Sequence, residues 1–362
     1  MTKILIVLES IELGGLKRAT TVVGNALATS DDVTYYSISD VIPFYELAAP
    51  LITAPRPVKI THDAQPLSRY ANQMADLAAA INAGAFEKVI VTAGVLTSFI
   101  PFLQAHTKNV HYVAWMHNNV QTYENQYYVA MRQEFDDGLR AADAIVALTD
   151  SDKAGFLPYN ANTVKIWNPL TIEHDAQVAD LTRHVIAFTG RIAIQHKGID
   201  YLIELAAKLP ADWQIAIAGD ALVPADKAEF ERLIATYDVA DKIIYRGALR
   251  DDALIAHYRA ASIFVMTSRW EGLPLVLAEA MSFGLPIVAM WNTGAQEVLN
   301  DGEFGVLTPA KDVDALLAGL QPLLEDEAVR RDYSARSLAR VADFAMAPIQ
   351  QQWRQLLHKI DN

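Results

Sequence analysis

At 362 residues the chain is long enough for two domains, and its 52% apolar and 20% charged content is typical of a soluble globular protein with a large core. The formal net charge of -13 argues against broad nucleic-acid binding, which requires a basic face, although an acidic protein can still bind a phosphate locally. The absence of cysteine excludes disulfides, thiolate metal sites and cysteine nucleophiles.

The chain shows no pattern typical of export or membrane insertion. The short apolar run before Glu9 has no basic start and no cleavable segment after it, so we expect no secretion signal. No run approaches the roughly 20 apolar residues that span a bilayer. We therefore expect a cytoplasmic protein, with peripheral association at the inner face of the cell membrane left open.

Short apolar runs rich in β-branched residues alternate with helical patterns from the start of the chain. Because these runs do not alternate strictly with polar residues, they are typical of strands buried on both faces of a parallel sheet. The first series of predicted strands is Ile4–Leu8, Val33–Ile38, Lys88–Thr92, Val110–Trp115, Ala144–Leu148 and Val164–Trp167.

A second series of the same kind begins at His184. Its predicted strands are Val185–Phe188, Gln214–Ala218, Lys242–Tyr245, Ile263–Met266, Pro286–Ala289 and Gly305–Leu307. Helical patterns separate them at Tyr201–Leu209, Ala225–Tyr237, Asp252–Ala260, Pro274–Phe283 and Asp312–Leu324. This alternation predicts an α/β protein with two doubly wound, Rossmann-like domains.

The division of the chain follows from the same pattern. Pro169 interrupts it, so we predict the first domain over residues 1–170 and the second over residues 171–345. The helical spacing within residues 346–362 comes after the second sheet is complete, and the first domain is the surface that this helix is expected to cover. Since ligands of open sheets sit beyond the carboxyl ends of the strands, we expect a working cleft between the domains.

The stretch from Ser268 to Pro286, SRWEGLPLVLAEAMSFGLP, holds two carboxylates eight positions apart. Glu271 lies in a predicted loop, Pro274 in the first turn of the next helix, and Glu279 inside that helix among apolar residues. A helix start offers free backbone donors and the positive end of the helix dipole. The stretch therefore favours an anion such as a phosphate.

Two cations stand near a strand end in the second domain. Arg191 follows the predicted strand Val185–Phe188, and Lys197 precedes Gly198 and a predicted helix. An arginine fork and a lysine point charge at such a position can neutralise a diphosphate. Surface salt bridging is the alternative, which the flanking glycines make less favourable.

The first domain offers two weaker signals. Gly14 and Gly15 follow the first strand, where they could let the backbone approach a phosphate or simply form a tight turn. His117 follows the strand that ends at Trp115, where an imidazole could donate to a substrate hydroxyl and change charge near neutral pH. A structural histidine is the alternative.

Other polar and aromatic residues have two interpretations. Asp150 and Asp152 could chelate a divalent metal, but they also open a predicted helix, where aspartate is favoured as a cap or first-turn residue. Tyr123, Tyr127 and Tyr128 could stack on a sugar, although packing against a helix is the favoured interpretation.

Two further strand ends in the second domain carry glycine beside a charged residue. Gly219 precedes Asp220, and Arg246 precedes Gly247. Both pairs are candidates for the walls of a nucleobase pocket and equally for plain turn residues.

Several of these motifs together resemble a known family. TGRI at 189–192, HKG at 196–198, YRG at 245–247 and SRWEGLPLVLAEAMSFGLPIVA at 268–289, with Gly294 and Glu297 after it, resemble the second domain of glycosyltransferase family 4, the retaining GT-B enzymes. The double-glycine loop, His117 and the C-terminal helix are similar to that family's first domain. The resemblance covers the whole chain and is strongest over residues 184–310.

The resemblance implies a role for each matching residue. Arg191 and Lys197 would bind the donor diphosphate, Glu279 the ribose hydroxyls, and Glu271 the region of the donor sugar. The implied catalytic residues are His117, Arg191, Lys197 and Glu271, and the implied donor-binding residues are Gly15, Arg191, Lys197, Gly219, Arg246, Glu271, Gly272, Leu273 and Glu279.

The chain departs from the family at two loops. Pro169 follows Asn168 where members often have Asn-Gly, and Ala295 follows Gly294 where many carry a proline. These departures put loop details in doubt and leave the class unchanged.

The implied function is retaining transfer of a hexose or N-acetylhexosamine from a nucleotide diphosphate sugar. A UDP-sugar is favoured over a GDP-sugar, and the acceptor would be a hydroxyl of a glycan, lipid-linked or other cell-envelope molecule. No metal or other cofactor is expected, because cations of the chain would neutralise the diphosphate. Two alternatives stay open: a non-catalytic glycosyltransferase-like partner protein, and another GT-B nucleotide-sugar enzyme such as an epimerase.

Overall fold

In the computed structural model, which describes residues 1–360, the chain forms two α/β units, each built around its own parallel sheet. The first unit comprises residues 1–171 and the chain from residue 345 onward, and the second comprises residues 172–344. Residues 361 and 362, which the sequence pattern assigns to the C-terminal helical segment, lie outside the described residues.

Seven strands form the first sheet among the described residues: β1 (Lys3–Leu8), β2 (Asp32–Ser37), β3 (Leu51–Thr53), β4 (Lys88–Thr92), β5 (His111–Trp115), β6 (Ala144–Ala147) and β7 (Thr163–Lys165). They run parallel in the order β3, β2, β1, β4, β5, β6, β7. In the register Ile6 lies between Tyr35 and Ile90, and all of β4 is buried. Burial on both faces explains why these strands read as continuous apolar runs.

Helices cover the first sheet. They are α1 (Gly15–Leu27), α2 (Pro66–Arg69), α3 (Ala71–Gly84), α4 (Gly94–Thr97), α5 (Ile100–His106), α6 (Val120–Thr122), α7 (Arg132–Ala141) and α8 (Asp150–Phe156). A wide helical turn at Tyr123–Tyr127 and a tight one at Val129–Met131 follow α6.

The second sheet has six strands in the part of the chain that the structure describes: β8 (Val185–Thr189), β9 (Gln214–Ala218), β10 (Ile243–Tyr245), β11 (Ile263–Met266), β12 (Ile287–Met290) and β13 (Val306–Thr308). Their order is β10, β9, β8, β11, β12, β13, and all are parallel. Ile186 of β8 pairs with Ile215 on one side and Ile263 on the other, and all three are fully buried.

The helices of the second unit are α9 (Ile194–Lys197), α10 (Ile199–Lys208), α11 (Pro224–Tyr237), α12 (Asp251–Arg259), α13 (Leu275–Ser282), α14 (Thr293–Leu299), α15 (Val313–Glu325) and α16 (Glu327–Val341). The last helix of the chain, α17 (Met346–Lys359), belongs to the first unit. None of the helices within residues 1–360 is long and apolar enough to cross a bilayer.

Each strand predicted from the sequence is present, with bounds that differ by at most two residues at either end. Pro274 was expected in the first turn of α13, but it is the N-cap: its ψ of 104° is extended, so helical conformation begins only at Leu275. The short strand β3 was not predicted, since three residues between a loop and a proline carry little periodicity.

Helix α16 was also missed, because the face that it buries is polar. Its buried residues are Arg330, Ser334, Ser337 and Arg340. Arg330 donates from Nε to the carbonyl of Leu181 at 2.7 Å, and Arg340 donates from Nε to the carbonyl of Val298 at 2.9 Å. Hydrogen bonds to backbone carbonyls therefore replace the apolar stripe that a sequence pattern detects.

The C-terminal helix α17 packs within the first unit. Trp353 is fully buried and meets Trp115 edge to face, with ring centroids 4.6 Å apart. Gln350 donates from Nε2 to the carbonyl of Ala26, at the end of α1. The helix thus completes a core whose other members come from the beginning of the chain.

We predict that Trp353→Ala destabilises the first unit by about 3–5 kcal/mol, because it removes a fully buried indole and leaves a cavity against Trp115. Urea unfolding of the whole chain measures the change. Gln352→Ala, on the exposed face of the same helix, is the control and is expected to stay within about 0.5 kcal/mol. Equal midpoints for the two variants would contradict the packing role of Trp353.

Candidate functional site

The carboxyl edge of the second sheet gathers most residues that the sequence singled out. Gly190 and Arg191 follow β8, Gly219 follows β9, and Glu271 lies in the loop after β11. Because the strands are parallel, these loops emerge at one edge, where open α/β sheets bind their ligands.

Gly219 is explained by packing. Its φ of 149° is rarely adopted by other residues, and an added Cβ would lie 1.8 Å from the carbonyl oxygen of Gly190. Its amide donates to the carbonyl of Gly247 at 2.7 Å. Gly219 therefore allows the loops after β8, β9 and β10 to meet. This close contact requires glycine at position 219 whether or not the residue also borders a ligand.

A buried ion pair lies at the centre of this edge. Lys197 donates from Nζ to Oε1 of Glu271 at 2.6 Å, and the two side chains are only 16% and 11% exposed. Burial alone would raise the pKa of Glu271, but the charge and hydrogen bond of Lys197 outweigh it and hold the pKa below its ordinary value. Glu271 is therefore a carboxylate at neutral pH.

His196 connects this ion pair to Arg191. Its Nε2 donates to the carbonyl of Trp270 at 3.1 Å, and its ring stacks on the Trp270 indole at 4.8 Å with planes 8° apart. Since Nε2 carries the proton, Nδ1 is free to accept from Nη2 of Arg191 at 3.5 Å. Burial lowers the pKa of His196 to about 4, so the imidazole is neutral at pH 7.

Glu279 and Gly272 occupy buried positions beside the ion pair's loop. Glu279 lies in α13, is 2% exposed, and accepts from the Tyr258 hydroxyl at 2.9 Å. Gly272 and Leu273 are buried in the loop before α13, and the Gly272 carbonyl packs against the backbone of Gly294. No side chain caps the start of α13, and the Leu277 amide bonds to the Pro274 carbonyl at 3.1 Å. The amides of Leu275 and Val276, which come first in the helix, have no helical carbonyl before them to bond to.

Arg246 follows β10 directly and is half-buried, and its charge acts on a residue of α12. Burial and then the positive charge of Arg246 lower the pKa of His257, a fully buried residue of α12, to about 4. Burial, reinforced by Arg246, thus keeps the His257 imidazole neutral.

In the first unit, Gly14 and Gly15 form the start of α1. Gly14 is the N-cap, with no side-chain cap, and its amide donates to the Tyr45 hydroxyl at 3.4 Å. Arg18, one turn into the helix, donates to the carbonyl of Thr171 at 2.8 Å. Because the first amides of any helix lack a partner within the helix, the start of α1 presents backbone N–H donors.

His117 lies at the carboxyl end of β5, as predicted, with its ring 4.4 Å from that of Trp115. Its backbone amide donates to the Tyr123 hydroxyl at 3.0 Å, and both ring nitrogens are buried without a hydrogen-bond partner. Burial, and then the charge of Lys17, lower its pKa to about 3. The expectation that His117 changes charge near neutral pH is therefore wrong: the imidazole stays neutral.

The capping and packing interpretations hold for Asp150, Asp152 and the tyrosines. Thr149 is the N-cap of α8 and donates to Asp152 Oδ2 at 2.7 Å, while Asp150 in the first turn accepts from Lys165 at 2.6 Å. Tyr123 and Tyr128 are buried, stacked at 5.1 Å.

Within residues 1–360 no three or more histidine or acidic side chains converge on a common point.

Three residues of the second-unit edge escaped the sequence reasoning. His196 belongs to the HKG motif and Arg269 to SRWEG. Their hydrogen bonds, to the Trp270 carbonyl and to Asp200, are visible only in the structure. Asn292 caps α14 and donates from Nδ2 to the carbonyl of Ser268 at 3.1 Å. For Asn292 the sequence contains one signal, an asparagine at the start of a helix, where this residue is favoured as an N-cap.

Comparison with known proteins supports the same class. The sequence model of a family described as "Glycosyl transferases group 1" matches residues 171–340. A glycosyltransferase of Haemophilus influenzae is 26% identical over 355 residues, 95% of this chain and 96% of the relative. The amylovoran biosynthesis glycosyltransferase AmsD of Erwinia amylovora is 26% identical over 99% of this chain and 100% of its own length.

The fold has solved counterparts as well. The crystal structure of Anabaena HepE in complex with UDP and glucose superposes with a TM-score of 0.81 at 18% identity, covering 99% of this chain and all of that one. Residues 171–340 therefore match the model of a glycosyltransferase group 1 domain, and the two parallel-sheet units share the GT-B fold of this counterpart.

We predict that Lys197→Met lowers the free energy of unfolding by about 3 kcal/mol at pH 7, because it leaves the Glu271 carboxylate buried without its partner. The double variant Lys197→Met with Glu271→Gln should recover part of that loss, since no charge remains to be buried. Urea unfolding at pH 7 measures both.

The same ion pair makes stability depend on pH. The pKa of Glu271 in the folded protein is below the ordinary 4.5. The ion pair therefore contributes fully to the free energy of unfolding above pH 4.5, and this contribution is lost as the pH falls through the pKa of the folded state. An equal loss of unfolding free energy at pH 7 in Lys197→Met and in the double variant would contradict the pairing of Lys197 with Glu271.

Proposed function

We propose that this protein is a retaining glycosyltransferase that moves a hexose or N-acetylhexosamine from a nucleotide diphosphate sugar to an acceptor hydroxyl. The observation that carries the proposal is the buried Lys197–Glu271 ion pair, with Arg191 reached through His196, at the carboxyl edge of a glycosyltransferase group 1 domain. A charged pair is costly to bury, so its presence at a ligand-binding edge favours a functional role.

The proposed chemistry follows from where negative charge develops. When the bond between the sugar and the phosphate breaks, the nucleoside diphosphate leaves with growing negative charge. Preorganised donors aimed at such charge contribute about 3–4 kcal/mol each in comparable enzymes. Arg191, the ammonium of Lys197 and the first amides of α13 are the donors that we assign to this charge, without a metal.

Lys197 can serve the diphosphate while it holds Glu271. Its ammonium has three donors, of which the carboxylate uses one. Glu271 would then accept from hydroxyls of the donor sugar, because its carboxylate is ionised and fixed by Lys197. Gly272 and Leu273 would line the same end of the donor.

Glu279 is assigned to the ribose hydroxyls. It sits inside α13 at the carboxyl edge of the sheet, its carboxylate accepts from the Tyr258 hydroxyl, and ribose hydroxyls would be donors of the same kind. Gly219 and Arg246 would border the nucleobase at the ends of β9 and β10.

The first domain would supply the acceptor side. Gly15 at the start of α1 offers backbone donors to a phosphate, and His117, neutral at pH 7, can donate one hydrogen bond to a sugar hydroxyl. In the proposed retaining step the acceptor oxygen attacks the anomeric carbon from the face that the phosphate leaves. The acceptor's proton passes to the departing phosphate oxygen, so no carboxylate nucleophile is needed.

Relatives guide the choice of substrates. UDP is favoured over GDP because a structural counterpart was solved with UDP and glucose. A cell-envelope glycan or lipid-linked acceptor is favoured because a relative over the full length acts in amylovoran biosynthesis. The cytoplasm, with peripheral contact at the inner face of the membrane, is the corresponding location. A non-catalytic partner protein is disfavoured, since such a protein has no need of the Lys197–Glu271 pair.

We predict that the wild-type protein hydrolyses or transfers at least one sugar from a panel of UDP- and GDP-sugars, and that Arg191→Ala and Lys197→Ala lose at least 100-fold in kcat while remaining folded. Turnover is followed by release of the nucleoside diphosphate, and NMR of the product gives the anomeric configuration. A chelator should leave the rate unchanged. Retained turnover in both variants would remove the diphosphate assignment, and rescue by manganese after chelation would return attention to Asp150 and Asp152.

We predict that Glu279→Gln weakens UDP binding about 10- to 100-fold, because charged hydrogen bonds to two ribose hydroxyls are lost. Isothermal calorimetry with UDP and GDP measures the affinity. Tyr258→Phe is the matched control: it removes one hydrogen bond to Glu279, keeps the carboxylate, and should change the affinity by less than about threefold. Unchanged affinity in Glu279→Gln would exclude the ribose role.

A further inference from the structure

The loop that carries Glu271 is fastened to the short helix α9 that carries Lys197. Thr267 donates from Oγ1 to the Lys197 carbonyl at 2.8 Å, and the amide of Arg269 donates to the His196 carbonyl at 2.9 Å. Gly198, with φ of 64°, allows this contact, since an added Cβ would lie 2.1 Å from the Thr267 carbonyl oxygen. The two segments are therefore in backbone contact on one side of the ion pair.

The side chain of Arg269 joins the same two segments from the other side. Its Nη1 donates to the carbonyls of Ile194 and Gln195 at 2.9 and 3.2 Å. The guanidinium also makes two bonds to the Asp200 carboxylate, at 2.9 and 2.6 Å, and lies 4.0 Å from the ring centroid of Tyr201. The side chain is 13% exposed, so these contacts are largely shielded from water.

Arg269 itself makes no hydrogen bond or ion pair with Lys197 or Glu271 among the described contacts. Its bonds go to carbonyls two and three residues before Lys197 and to a carboxylate three residues after it. Nη1 bonds to both carbonyls and to Asp200 Oδ1, while Nη2 bonds to Asp200 Oδ2. A lysine has one ammonium on a shorter side chain, so it cannot reproduce the two-nitrogen bond to the carboxylate together with the stacking on Tyr201.

We infer that Arg269 is a positioning residue, which fixes α9 against the loop after β11 and thereby sets where the Lys197 ammonium sits relative to Glu271. The inference rests on the proposed function, in which that ammonium faces the leaving diphosphate. A displacement of about 1 Å at such a centre costs on the order of 100-fold in rate. Donor binding, which also uses Glu279 and α13, depends less on this distance.

The test compares wild type with Arg269→Met and Arg269→Lys, using the nucleotide sugar that the wild type turns over best. We expect kcat to fall about 10- to 100-fold in both variants, with KM for the donor changed by less than about threefold. Lysine should not rescue the rate. Arg232→Met is the matched control, because Arg232 makes a bidentate pair with Glu229 on the exposed surface of α11.

A second measurement does not need activity. With 13C-labelled glutamate, the carboxyl resonance of Glu271, assigned with Glu271→Gln, reports its titration. Glu271 faces Lys197 and His196 of α9, so loosening of α9 leaves burial to dominate and should raise the pKa of Glu271 in Arg269→Met above the wild-type value.

The outcomes separate the two proposals. A lower kcat with a raised pKa of Glu271 supports the positioning role. An unchanged kcat, or a Glu271 that titrates as in the wild type, overturns it and leaves the proposed function intact. If the wild type turns over no donor, the proposed function fails and the titration alone decides the role of Arg269. Should Arg269→Met not fold, Arg269→Lys carries both measurements.

Discussion

One buried ion pair organises the carboxyl edge of the second domain. Lys197 and Glu271 are 74 residues apart in the chain, yet their side chains meet at 2.6 Å with little exposure to water. Burying two charges is expensive, and apolar residues of similar size would stabilise the domain at least as well. The domain keeps the pair and surrounds it with backbone hydrogen bonds. Its charges are thus in place before any ligand arrives, which is the condition for electrostatic preorganisation.

The two sheets of this GT-B protein present different electrostatics at their carboxyl edges. In the second domain the Glu271 carboxylate stays ionised because Lys197 compensates for its burial. In the first, His117 is buried beside the charge of Lys17 and stays neutral. A neutral imidazole can donate and accept hydrogen bonds but carries no charge to a phosphate. The two sheets therefore place a charged pair at one carboxyl edge and a neutral imidazole at the other.

The sequence predicted the strands well, because residues buried on both faces of a parallel sheet leave continuous apolar runs. It also found Lys197 and Glu271, through local motifs. It could not predict that they bind each other, since no pattern encodes contacts across 74 residues. Helix α16 escaped because its buried face consists of arginine and serine, and the neutral state of His117 depends on burial that only the folded chain supplies.

The course of the chain has a consequence for synthesis. Helix α17 belongs to the first domain, but the ribosome makes it only after the whole of the second. Until then Trp115 lacks the Trp353 indole that packs against it, and the end of α1 lacks its bond from Gln350. The first domain is therefore unfinished while the second emerges and folds, and the nascent chain carries an exposed apolar surface for that interval. Chaperones that recognise such surfaces can therefore bind the first domain throughout the synthesis of the second.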